Sequence, residues 1–216
     1  MKLEVINPAT ARPLAEIEQA GGEDADRAVA AARAAFPLWR SVAPGDRARM
    51  LRRLAQAIEE HGEELARIET RNVGKPISDS RGEVAMVAEV FHFYAGAIDK
   101  HHGQTIPVAG GVDMTFHEPL GVVGLIVPWN FPLNITSWKL GPSLACGNTV
   151  VLKPAELTPL SALRLAELAS EAGIPDGVIN VVVGPGRLVG QRLVEHPDVS
   201  KISFTGSTEV GVQVMR

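Results

Sequence analysis

The chain is short of several things, and each shortage removes a class of function. Of its 216 residues only Cys146 is a cysteine, which excludes a disulfide within the chain and any thiolate-cluster metal site. The six histidines do not make up the deficit. His101 and His102 are adjacent and cannot face one site together on a helix, and the others are scattered, so no metal site is expected. Basic charge is scarcer than acidic, with 21 Lys and Arg against 25 Asp and Glu and a net charge of −4. A duplex-binding protein presents a basic face, so nucleic acid is not an expected partner. No apolar run is long enough to span a bilayer, and the opening MKLEVINPAT carries no apolar leader core. A membrane partner is therefore not expected, and the expected compartment is the cytoplasm.

What remains is an ordinary globular composition, 45% hydrophobic and 21% charged. The organising stretch runs from Gly121 to Lys153 and reads strand, turn, helix, turn, strand, one right-handed crossover unit. Gly121 to Val127 is almost wholly apolar, as a strand covered on both faces must be. Pro128 cannot donate to a ladder and Pro132 biases Phe131 away from helical geometry, so Trp129-Asn130-Phe131 is predicted as a tight turn at the strand's carboxyl end. Open α/β sheets bind ligands there.

Before this unit, Met1 to Glu18 predicts short strands around a turn, and helices follow: one from Glu23 ended by Pro37, one after Pro44, one beyond Gly62 closed by Gly74-Lys75-Pro76, and one from Arg81 to about His101 with Ser80 and Glu83 at capping-box spacing. Gln104 to Pro119, with Gly110-Gly111 between two short β-type runs, predicts a hairpin. After it, strands are expected at Thr149–Leu152, Gly177–Val183 and Lys201–Phe204. Helices are expected after Thr158 as a cap, over Arg187–Glu195 and from Ser207. The predicted class is α/β: a parallel Rossmann-like sheet with flanking helices over residues 121–216, preceded by a helical amino-terminal segment, residues 1–103, and a projecting hairpin, residues 104–120.

A dinucleotide site needs backbone N–H groups at a helix start and an acidic group for ribose hydroxyls. FTGSTEVG offers the first, with Phe204 ending a strand, Gly206 permitting close approach and Ser207 and Thr208 opening a helix. Gly184-Pro185-Gly186 through Gly190 is one residue longer than GxGxxG and is weak alone. KPAE places Lys153 and Glu156 just beyond a strand end. Both could reach ribose hydroxyls, or Glu156 could be only an acidic residue before the Thr158 cap and Lys153 a solvated strand end. Asn130 could donate to an oxyanion or simply serve its turn. Cys146, with no evident activating neighbour, is expected to be a small core residue.

The runs VPWNFPL, WKLGPSLACGNTVVLKPAELTPLSA and FTGSTEVG, in this order and spacing, resemble the aldehyde dehydrogenase superfamily, and the resemblance reaches from about Val5 to the last residue. It implies NAD as coenzyme, with NADP disfavoured because Glu156 would repel a 2′-phosphate. The cofactor-binding positions it implies are Ile126, Val127, Pro128 and Trp129; Lys153, Ala155 and Glu156; Gly186 and Gly190; and Phe204, Thr205, Gly206, Ser207 and Val210. It implies that Asn130 polarises an aldehyde carbonyl and that Lys139 serves a charge relay. It also implies that the 104–120 hairpin pairs subunits into a homo-oligomer. In the family a cysteine thiolate attacks the aldehyde, hydride passes to the nicotinamide, and a glutamate-activated water releases the acid. The nucleophile and base of the family match nothing in this sequence. The expectation is a coenzyme-binding portion, inactive alone, whose sheet has an open edge prone to association. Two other readings stay open: a non-catalytic nucleotide-binding or subunit-pairing module, and an acyl-transfer activity on Cys146.

Overall fold

The computed structural model describes residues 2–216. Its centre is a four-stranded sheet of β5 (Val122–Ile126), β6 (Thr149–Lys153), β7 (Ile179–Val181) and β8 (Val199–Phe204), in the order β7-β6-β5-β8 with every pairing parallel. Every residue of β5 and β6 is buried, which explains their unbroken apolar text. Side chains nonetheless alternate between two cores. Val123, Leu125, Val150 and Leu152 join one core with α2 (Pro44–Glu60), α3 (Gly62–Val73), α4 (Ile77–Ala97), α5 (Pro132–Ala145) and α6 (Leu160–Glu171). Val122 and Val151 join another with α1 (Gly22–Ser41) and α7 (Gln191–Glu195). The chain closes with α8 (Thr208–Met215).

Two antiparallel hairpins stand apart from the sheet. β1 (Lys2–Asn7) pairs with β2 (Arg12–Glu18), and β3 (Thr105–Val108) with β4 (Gly111–Met114). The second is exposed along its whole length despite carrying Ile106, Val108, Val112 and Met114.

Several predicted boundaries move, each for a local reason. Pro37 does not end α1, which continues to Ser41. The hydrogen bond that a proline forfeits falls on an exposed turn, and the last turn is held by Trp39, wholly buried. Ser80 is not a cap. α4 begins three residues earlier at Ile77, after Pro76, and the Ser80 hydroxyl is buried against Thr70 Oγ1 at 2.8 Å. Thr158 does not cap α6 either: its hydroxyl donates to the Trp129 carbonyl at 2.9 Å, and the Leu160 N–H at the helix start donates instead to Asn72 Oδ1 at 3.3 Å. The predicted 187–195 helix divides into a π-helical turn, Gly186–Gly190, and α7.

Gly184 ends the third strand segment where the β2–α1 connection crosses it, tied by the Ala20 N–H to the Val183 carbonyl at 2.8 Å. A Cβ at Gly184 would collide with the Ala20 carbonyl oxygen and stand 2.7 Å from Val189 Cγ2. Gly184→Ala should therefore cost about 1–3 kcal/mol through overpacking, read as a lower denaturant midpoint. An unchanged midpoint would contradict the close approach.

Candidate functional site

Lateral register brings three strand ends together. Ile126 pairs with Lys153 on one side and with Phe204 on the other, so the three lie in a row about 4.8 Å apart. Alternation then decides their face. Ile126 follows Val122, Lys153 follows Val151 and Phe204 follows Ile202, all at even spacing and all directed to the α1/α7 side. There they line a cleft of about 690 Å³ together with Gly186, Arg187, Gly190 and Gln191, and with Val210 from α8.

Six predicted positions, Ile126, Lys153, Gly186, Gly190, Phe204 and Val210, therefore share this one hollow. Lys153 is buried, and its ammonium donates to the Pro154 carbonyl at 3.1 Å. An ammonium carries three protons, so two remain for a ligand. Burial lowers its pKa, and the charge of nearby Glu156 partly opposes this. Glu156 itself does not line the cleft; its Oε1 accepts from Gln19 Nε2 at 2.6 Å.

The other predicted positions frame the cleft without lining it. The Val127 N–H donates to the Lys153 carbonyl at 3.1 Å, and the Thr205 N–H to the Ile126 carbonyl at 3.1 Å, extending the ladder at both sides. Pro128 and Trp129 follow in the turn, and the Ala155 carbonyl accepts the Thr158 N–H at 3.2 Å. Ser207 caps α8 through its hydroxyl, which accepts from the Val210 N–H at 3.3 Å. Gly206 has a packing reason of its own, because a Cβ there would stand 2.5 Å from Phe204 Cζ. Arg187, Gln191, Val194 and Glu195 line the cleft but were not predicted. Their spacing of three and four residues, in phase with Gly190, marks one helix face and is the signal that could have found them.

Asn130 and Lys139 lie elsewhere. Lys139 on α5 donates to Ser203 Oγ at 2.9 Å, and Ser203 precedes Phe204, so this bond is on the opposite face of the sheet. Burial lowers the Lys139 pKa to about 8. Asn130 is exposed in the turn, and among the described residues its side chain makes no hydrogen bond. The next residue, Phe131, is held from below: the Lys75 ammonium lies 4.7 Å from its ring centroid. Lys75 in turn bridges Glu83 at 2.5 Å and Glu69 at 3.3 Å. Glu69 is wholly buried, and burial raises its pKa despite Lys75. Ser161 lies close enough to oppose that rise, yet Glu69 Oε1 and Ser161 Oγ remain outside hydrogen-bond geometry, two unpaired buried atoms.

Cys146 corrects an expectation, for it is exposed and not a core residue. The turn after α5 carries it outward, into a hollow with Arg47, His101 and His117. This hollow lies before the first residue of β6, whereas Lys153 is its last. Five extended residues separate the two ends by about 13 Å. Among the described residues, no group of three or more His, Cys, Asp or Glu could hold a metal ion, and no helix is long and apolar enough to cross a membrane.

Lys139 gives a pH prediction. Between its folded pKa of about 8 and the ordinary 10.5, the folded state binds fewer protons than the unfolded chain. Stability present above 10.5 is therefore lost as pH falls through 8. Denaturant melts across that window should show the native chain gaining stability with pH relative to Lys139→Met; parallel profiles would contradict the burial.

With the cleft described, comparison with known proteins is informative. The aldehyde dehydrogenase family pattern matches residues 1–216. The chain is 48% identical over 217 residues to the NADP/NAD-dependent aldehyde dehydrogenase PuuC of Escherichia coli, covering 99% of this chain and 44% of that protein. To an aldehyde dehydrogenase of Aspergillus niger it is 48% identical, over 99% of this chain and 43% of the other. The NAD⁺ complex of an aldehyde dehydrogenase from Bacillus cereus superposes with a TM-score of 0.98 at 47% identity, covering 100% of this chain and 45% of that one. The chain thus spans under half the length of the relatives it matches, and over that span it belongs to the aldehyde dehydrogenase family.

Proposed function

We propose that this chain is the coenzyme-binding portion of an NAD(P)-dependent aldehyde dehydrogenase, with the strand-end cleft as the berth for the dinucleotide. The observation that carries the reading is Lys153: a buried ammonium with one acceptor in the chain, near Glu156, packed against Gly190 and sharing the cleft with Gly186. A group with hydroxyls or phosphate oxygens at that point satisfies the remaining protons of Lys153. The fit of the glycines supports the same reading. A Cβ at Gly186 would meet nothing within 4 Å, leaving the backbone open to a ligand, and Gly190 lies beside the Lys153 stem, where a Cβ would make ordinary contact with Cδ at 3.6 Å. Glu156, near Lys153 but held by Gln19 outside the cleft lining, favours NAD over NADP by its negative charge. When bound, the nicotinamide accepts hydride from the substrate carbon.

The contribution of this chain to the reaction is positional. Asn130, exposed at the end of β5 with Phe131 steadied by Lys75, offers an amide donor to an aldehyde oxygen as negative charge develops there. Lys139, on the α5 side of the sheet where it donates to Ser203 Oγ, is assigned the charge-relay part. Cys146 lies at the wrong end of the strands to serve as nucleophile, so the bond-making thiolate and base belong to polypeptide other than this chain. The exposed apolar hairpin β3–β4 is the subunit-pairing element, as its uncovered Val112 and the uncovered Phe116 just beyond β4 favour.

Two measurements test these assignments. NAD titrated calorimetrically into the native chain should bind, and Lys153→Ala and Glu156→Ala should each weaken binding about tenfold or more, the scale of a lost charge-assisted hydrogen bond. Unchanged affinity in both variants would remove the site from this cleft. Sedimentation should show an oligomer that Val112→Lys with Phe116→Ser converts to monomer; an unaltered mass would exclude the hairpin as the interface.

A further inference from the structure

We infer that Thr158 is a positioning residue for the turn that carries Asn130: from the loop beyond Lys153, its hydroxyl fixes the Trp129 carbonyl and so sets the aim of the neighbouring amide. The inference rests on the proposed function above and adds to it the residue that holds Asn130 in place. Asn130 is exposed, and among the described residues its side chain is unbonded, so its direction is decided by the backbone on either side. That backbone has little of its own to hold it. Pro128 brings no N–H. Among the described residues, the bond from Thr158 Oγ1 to the Trp129 carbonyl, at 2.9 Å, is the only hydrogen bond made by Pro128, Trp129 or Asn130.

Thr158 is itself held with little freedom. It is 3% exposed, and the backbone on both sides of it is gripped by one buried side chain, Asn72 near the end of α3. Asn72 Nδ2 donates to the Leu157 carbonyl at 2.9 Å, and its Oδ1 accepts the Leu160 N–H at 3.3 Å. The Thr158 N–H closes a turn onto the Ala155 carbonyl at 3.2 Å. One residue therefore has its backbone in the loop that leaves Lys153 and its hydroxyl on the turn that leaves Ile126. Branching at Cβ stiffens its χ1 and keeps the hydroxyl in place. Three residues beyond Asn72, the Lys75 ammonium lies 4.7 Å from the Phe131 ring centroid. The end of α3 thus fixes the turn at two points, Trp129 through Asn72 and Thr158, and Phe131 through Lys75. Asn130 sits between them, with its amide unspent.

Nuclear magnetic relaxation of the isotopically labelled whole chain tests this, with Thr158→Val removing the hydroxyl at nearly constant shape and Thr158→Ser keeping it. A thermal melt establishes that each variant is folded. In the native chain and in Thr158→Ser, the backbone order parameters of Trp129 and Asn130 should lie near the rigid value of about 0.85. In Thr158→Val they should fall below about 0.6, while those of Leu125 and Leu152 in the sheet hold. A turn unchanged in Thr158→Val, a turn that Thr158→Ser leaves loose, or a fall shared by the whole sheet would overturn the role. If Thr158→Val does not fold, the native chain decides: the Thr158 hydroxyl proton should be visible in slow exchange with water, and its absence would contradict the bond. Titration with NAD separates this inference from the reading it rests on. A native chain that binds no NAD overturns the coenzyme berth, whereas the order parameters report on Thr158 with no ligand present.

Discussion

The register of three parallel strands is the constraint on which everything else depends. Ile126 stands level with Lys153 and with Phe204 because β5 is hydrogen-bonded to β6 and to β8 without offset at their carboxyl ends. A slip of one residue would turn Lys153 from the α7 side to the α5 side. The slip is resisted by burial on both faces of β5 and β6: these two strands place alternate residues in two separate cores, and both cores would have to be broken at once. Helix α7, which closes the cleft, is fixed to the same frame by the two-pronged Arg192–Asp26 pair to α1. That pair, exposed to solvent, holds the Asp26 carboxyl below the usual range, first through the Arg192 hydrogen bond.

The sheet also divides the chemistry. Residues of even spacing along the strand ends face the cleft, while Ser203, one step out of phase, meets Lys139 on the other side. The turn after β5 joins the two territories, since Ile126 lines the cleft and Asn130 lies four residues beyond it. Its underside rests on a buried charge cluster, Glu69–Lys75–Glu83, that reaches Phe131 through the Lys75 ammonium. Removing one partner of such a cluster is costlier than never having built it, about 3–5 kcal/mol for an uncompensated buried charge. A rigid support under an otherwise exposed turn is what that expense secures.

Much of this was legible in the sequence, because the parallel sheet is written in continuous apolar runs and its turns in Gly and Pro. The β5–α5–β6 unit, the open α/β class and the exposed hairpin all follow from such text. Most of the differences share a cause: a local signal is overruled by packing against a partner distant in sequence. Pro37 should stop a helix, yet burial of Trp39 carries α1 past it. Ser80 and Glu83 have capping-box spacing, but Glu83 is taken by Lys75 and Ser80 by Thr70. Thr158 precedes a helix and is spent on Trp129, 29 positions earlier. Cys146 sits in apolar text and is nonetheless exposed, because the turn after α5 directs it outward. At the cleft, the predicted glycines and Lys153 converge, while the tethering of Glu156 by Gln19, 137 residues away, leaves no trace in local sequence.

The central claim is that the row of strand ends, and no other hollow, receives the dinucleotide. Amide chemical shifts of the isotopically labelled chain, followed as NAD is added, test it most directly. The account predicts saturable shifts centred on Lys153, the Gly186–Gly190 turn and Phe204, with Cys146, Arg47 and His117 at the far end of the sheet unmoved. Shifts centred on the Cys146 hollow, or spread without a focus, would contradict it.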